Sequence, residues 1–151
     1  MSITQQDFLA SSTEQGAKNL LAALLALPEE KRGWRPAETA RPALDLVAEC
    51  ALNNGYTATM IRNRTWGAPP HDEYMAIRSK VAAESLSELQ ELLEANTQRV
   101  IAAIQATPDD AMDVEIDTPY GIMTIAQSIG YPYWNMSYHE GQINYIASML
   151  D

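Results

Sequence analysis

Cysteine and histidine are scarce in this chain, and that scarcity sets the first limits on its chemistry. A single cysteine, Cys50, excludes an intrachain disulfide, a four-cysteine zinc site and a Cys-x-x-Cys redox pair. The two histidines, His71 and His139, cannot complete a three-histidine metal centre, nor a Cys₂His₂ finger with one cysteine. Any metal held within one chain would need carboxylates or amides beside those imidazoles. Positive charge is also short: 10 Lys and Arg face 20 Asp and Glu, a net charge of −10. The basic residues are scattered, which argues against nucleic acid and against anionic membrane surfaces as partners. No run of 18 apolar residues is present, so no spanning helix is expected. The opening residues lack the basic region and apolar run of a signal peptide, and a cytoplasmic setting is expected. Gly-x-Gly-x-x-Gly, Walker and Gly-x-Ser-x-Gly patterns are all missing.

What is there reads as helix. The 151 residues, 46% of them hydrophobic, suit one domain over 1–151 with a single sizeable core. Phe8, Leu9, Leu20, Leu21, Leu24 and Leu27 recur at helical spacing ahead of Pro28. Gly16 lies on that stripe, where it would let another helix approach. A second helix runs from about Arg41-Pro42 to Asn63, with Leu44, Val47, Ala48, Ala51 and Leu52 as its apolar face. A third pattern extends from about Asp72 to Ala106. Ser85-x-x-Glu88 is a capping-box signal inside it and allows a separate short helix first.

The period then changes. Val114 and Ile116 alternate with acids before Thr118-Pro119-Tyr120-Gly121, which predicts a small hairpin or turn and not a full sheet. Thr124-x-x-Gln127 caps a last helix running almost to Asp151, with a kink or restart expected at Pro132. Four substantial helices with short connections predict an all-α four-helix bundle.

The last helix carries the candidate site. Ser137, Glu140, Gly141, Asn144 and Ser148 share a face expected to meet solvent, while Tyr138, Ile143, Tyr145, Ile146, Met149 and Leu150 form the opposite, apolar one. Asn135, His139 and Gln142 sit within that apolar face, and buried polar groups need partners. Asn135 and His139 are four apart and so able to share one partner. A hydrogen-bonded core network and a ligand site are equally open readings at this point. On the second helix, Asp45, Glu49 and Asn53 form a polar strip whose position favours solvent, although flanking Leu46 and Leu52 leave room for Glu49 to turn inward. Cys50 reads as a small buried apolar residue. His71 is expected in a solvated loop, and Tyr131-Pro132-Tyr133-Trp134 in core packing, with a pocket wall as the alternative. His139-Glu140-Gly141-Gln142-Ile143 opens like a zinc-protease motif, but Ile143 stands in place of the second histidine.

Tyr138-His139-Glu140-Gly141-Gln142-Ile143 resembles the His-x-Gly-Gln-Ile signature of the DinB-like superfamily, and Tyr120-Gly121-Ile122-Met123-Thr124-Ile125 resembles its turn into the final helix. The specific likeness covers about the last thirty residues. It implies a bundle of up-down-down-up connectivity, often homodimeric, among relatives that include metal-dependent bacillithiol or mycothiol S-transferases and a maleylpyruvate isomerase. In metal-binding members the resemblance implies three histidines, one on the second helix and two on the last. Here those places fall at or near Glu49, at Asn135 and at His139. Glutamate still binds divalent cations, whereas an amide oxygen is a weak ligand for zinc or nickel. Two expectations follow. The first is a non-catalytic or ligand-binding homodimeric module with a degenerate metal site. The second is an enzyme, a thiol S-transferase or hydrolase, using a divalent metal (Zn, Ni or Mn) on Glu49 and His139, with Asn135 assisting.

Overall fold

The computed structural model describes residues 2–150. Helix α1 spans Gln5–Ala26, and the Thr4 hydroxyl and Asp7 carboxylate cap it reciprocally. Helix α2 spans Ala43–Asn63 and ends on Arg64, whose φ of 60° places it in the left-handed region. Helices α3, His71–Ala82, and α4, Leu86–Gln105, follow. Strands β1, Glu115–Thr118, and β2, Gly121–Thr124, form an antiparallel hairpin in which Ile116 pairs with Met123. Helix α5, Ile125–Ser148, completes the fold.

Helices α1, α2, α4 and α5 make the four-helix bundle, in up-down-down-up order. Helices α1 and α2 each pack on both α4 and α5, and meet each other only slightly. Helices α1 and α2 therefore sit diagonally, as do α4 and α5, and the segments linking each of these pairs must cross an end of the bundle, whereas α2 and α4 lie side by side. Helix α3 joins these two neighbours and leans on α2. The core has two parts. Leu20, Leu24, Val47, Cys50, Leu89 and Ile143 belong to one, and Ile61, Val100, Ile104, Ile125 and Ile129 to the other. Close approach of α4 to α2 requires Gly55, since a Cβ there would lie 2.7 Å from Asn96 Nδ2. That same amide donates to Ala51 O at 2.8 Å.

Several sequence expectations change in three dimensions. The pattern over 72–106 is two helices, because Ser85 Oγ accepts from Glu88 N at 3.2 Å and starts a new one. His71 is no loop residue; it opens α3 directly after Pro70. Pro132 stays within an uninterrupted α5. The buried stripe of α5 passes through Ile129, Pro132, Asn135, Met136, His139, Ile143 and Ile146. Tyr138 (54%) and Tyr145 (71%) are therefore largely exposed, as is Phe8 on α1, and Met149, the C-cap of α5, is exposed too. Tyr133 and Trp134 are exposed as well, so of their cluster only Pro132 is fully buried. Aromatic side chains reach far enough to shift an apparent apolar sector by a residue, and α5 follows its aliphatic positions instead.

Candidate functional site

Glu49 leaves the solvated strip expected for it and turns into the bundle. Its Oε2 lies 2.5 Å from His139 Nε2, joining α2 to α5. His139 Nδ1 lies 2.7 Å from Gln142 Oε1, one turn further along α5. With that oxygen accepting, Nδ1 carries a hydrogen, and the carboxylate contact then places a second N–H, or a cation, between Nε2 and Oε2. If the Gln142 amide instead presents its NH₂, Nδ1 accepts and a neutral imidazole donates to Glu49 through Nε2.

Two arginines close the other side. Arg41 Nη1 lies 2.9 Å from Glu49 Oε1, and Arg78 Nη1 lies 3.9 Å from the same oxygen. Asp45 takes Arg41 Nε at 2.6 Å and faces Arg78 Nε at 3.1 Å. The Asp45–Arg78 contact is an ion pair with poor hydrogen-bond alignment, since Arg78 Nε is otherwise buried without a partner. Asp45 and Glu49 are four apart on α2 and so share one face, and Arg41, just before the N-cap Pro42, reaches both. Burial alone would raise the Glu49 pKa; the His139 hydrogen bond, its charge and Arg41 outweigh it and hold the carboxyl at about 2. Burial likewise pushes the neighbouring Cys50 thiol up, leaving it unreactive.

Asn135 does not join this group. It is buried, and its Nδ2 reaches Cys50 Sγ at 3.7 Å, a weak contact. Asn135 and His139 thus share no partner, contrary to the expectation from their spacing. Of the residues proposed from sequence, Glu49 and His139 come together with Gln142, and Asn135 stands one turn away. Arg41 and Arg78 were not foreseen. The Arg41-x₃-Asp45-x₃-Glu49 spacing was the available signal for the first, and Tyr74-x₃-Arg78 on α3 the only one for the second.

Beside Glu49 opens a cleft of about 630 Å³ between α2, α3, the hairpin and α5. Its polar end holds Glu49, Asn53, Tyr74, Arg78 and Tyr131; Met60, Trp66, Tyr120 and Met123 line it further out. Trp66 and Tyr120 meet edge to face, with ring centroids 5.9 Å apart. Asn53 Nδ2 donates to Tyr131 Oη at 3.5 Å. Desolvation, then Glu49, raises the Tyr131 phenol to about 12, and both act on Tyr74 in the same direction. A shallower groove, lined in part by Arg41, Tyr138, Gln142 and Tyr145, lies nearby. Arg41 and Glu49, joined by their ion pair, therefore border different clefts.

Among the described residues, no group of three or more His, Cys, Asp or Glu is placed to hold a metal. No helix there is long and apolar enough to cross a membrane.

The fold and this acid–histidine pair between helices define a class of helical-bundle protein. The model of the DinB superfamily matches residues 12–143, and the chain belongs to that superfamily. Among solved structures, it is similar to YfiT from Bacillus subtilis, described as a probable metal-dependent hydrolase with an unusual four-helix bundle topology. That match has 14% identity and a TM-score of 0.83, covering 99% of this chain and 90% of YfiT. A variant of the mycothiol-dependent maleylpyruvate isomerase matches at 14% identity and TM-score 0.76 over 95% of this chain. This chain spans 63% of that isomerase's length. A DinB-like protein of Bacillus subtilis, YjoA, matches at 17% identity and TM-score 0.66, covering 93% of this chain and 90% of its own. Among curated proteins no sequence matches significantly.

Proposed function

We propose that this chain is a non-catalytic, small-molecule-binding module in which a salt-bridged network stands where metal-binding relatives hold a cation. The observation that carries this reading is the occupation of Glu49. One carboxylate oxygen is engaged by Arg41 at 2.9 Å and the other by His139 at 2.5 Å. A divalent cation at that point would have to displace a guanidinium and sit beside a second one, Arg78. Asn135 directs its NH₂ at Cys50 and offers no oxygen to the pair in this arrangement. The donor set therefore does not fit a metal, whereas the cleft beside it is of a size that takes small molecules.

Elemental analysis of protein purified without chelator, followed by calorimetric titration with zinc, nickel and manganese, tests this. The expected result is metal-free, folded protein that takes up none of the three. Stoichiometric metal that is lost in His139→Ala would overturn it.

One observation favours a second reading, a divalent-metal-dependent thiol S-transferase or hydrolase. His139 Nε2 and Glu49 Oε2 face each other across two helices, and YfiT is described as a probable metal-dependent hydrolase. That reading requires Arg41 to release Glu49, and the same titration decides between the two. A homodimer and a cytoplasmic setting belong to the proposal. The dimer would show in light scattering as twice the 16.7 kDa chain mass; the setting is supported by the single, unpaired Cys50.

A further inference from the structure

The polar end of the cleft beside Glu49 is balanced in charge but unbalanced in hydrogen bonding. Glu49 and Arg78 line it, one anion and one cation, and behind them Arg41 and Asp45 complete a set of two cations against two anions, all within 3.9 Å of a partner. His139 does not line the cleft. A ligand cation entering here meets the Arg78 guanidinium, and a ligand anion meets Glu49. Either would bring an uncompensated charge into a poorly hydrated place, and the chain's net charge of −10 adds to the penalty on anions.

Donors, by contrast, are in surplus. With the Asn53 amide turned as it is, Tyr131 Oη accepts from Nδ2 and donates to no acceptor among the described residues. Tyr74 Oη is buried with no hydrogen-bond partner among the described residues. The Glu49 oxygens face Arg41 and His139 and make no hydrogen bond to either phenol. Further out the wall is aromatic and thioether, with Trp66 and Tyr120 held edge to face.

Building on the ligand-binding reading above, we infer that the cleft takes an uncharged, flat aromatic molecule bearing a carbonyl oxygen, which accepts from the Tyr131 and Tyr74 hydroxyls while the rings lie against Trp66 and Tyr120.

A matched probe series tests this on the full chain: acetylnaphthalene, naphthalene, naphthoate and naphthylmethylammonium, followed by ligand-observed NMR and by the indole resonance of Trp66. The ketone should bind about fivefold tighter than naphthalene, the difference expected from one net hydrogen bond, and should shift Trp66. Tyr131→Phe should remove most of that preference, and the double change with Tyr74→Phe all of it. The melting temperature should change little in both variants, because neither hydroxyl donates to an acceptor in the free protein and the only bond lost is the 3.5 Å contact from Asn53. Tightest binding by naphthoate or by the ammonium would overturn the inference that the ligand is uncharged. A ketone no better than naphthalene, a preference that survives both tyrosine changes, or binding that leaves Trp66 unmoved would overturn the placement of the carbonyl. Failure of all four probes to bind would instead overturn the small-molecule reading itself.

Discussion

Replacing Glu49 by glutamine should destabilise the protein at neutral pH, and the loss should fade in acid. Glu49 carries a folded-state pKa of about 2 against an ordinary 4.5. A depression of that size corresponds to roughly 3 kcal/mol at neutral pH. The carboxylate side chain keeps 14% exposure, and screening brings the expected figure nearer to 2 kcal/mol. Because the folded pKa lies below the unfolded one, this stabilisation is complete above about pH 5 and disappears as pH falls towards 2. Glutamine keeps the shape and one acceptor oxygen but leaves Arg41 and Arg78 to share Asp45. Urea unfolding of both proteins at several pH values, from neutral down to about pH 3, gives the measurement. The gap should be about 2 kcal/mol at neutral pH, or roughly 4–8 °C in melting temperature for a chain of this size, and should narrow steadily below pH 5. A gap that stays constant with pH, or wild-type stability in the variant at neutral pH, would refute the argument that Glu49 is held charged by its partners.

Asn135→Leu should change stability by less than about 1 kcal/mol, since the only hydrogen bond lost is the 3.7 Å contact to Cys50 Sγ; a larger loss in thermal denaturation would show a stronger role for that amide. Thr124→Ala removes a capping box in which Thr124 and Gln127 satisfy each other's backbone N–H, and should lower stability by about 1 kcal/mol by the same measurement. Gly55→Ala should destabilise the α2–α4 contact despite alanine's better helix propensity, because its Cβ would sit 2.7 Å from Asn96 Nδ2; a rise in melting temperature would show that Asn96 moves aside freely.

The helices were legible because periodicity and caps are local properties. Thr4, Ser85 and Thr124 each cap the helix that their spacing announces, and the alternation around Ile116 does become a hairpin. Which side of a helix meets which neighbour was not legible to the same degree. Tyr138 and Tyr145 carry apolar character that the α5 stripe leaves outside the core. Glu49 lies opposite the strongest apolar direction of α2, yet is only slightly exposed, because α3 and α5 bring Arg78 and His139 to that side.

The sequence alone determined the all-helical bundle, the small hairpin, the exclusion of a three-histidine centre, and the likeness of its last helix to the DinB superfamily. Those follow from residue counts and from spacings within one segment. Tertiary structure decided that Glu49 and His139 touch, that Asn135 turns to Cys50, and that Arg41 and Arg78 take up the charge of Glu49. Such pairings depend on how helices far apart in the chain cross. Because α5 packs on α1 and α2, far from it in sequence, spacing within any one helix says nothing about which side chains of another will face it.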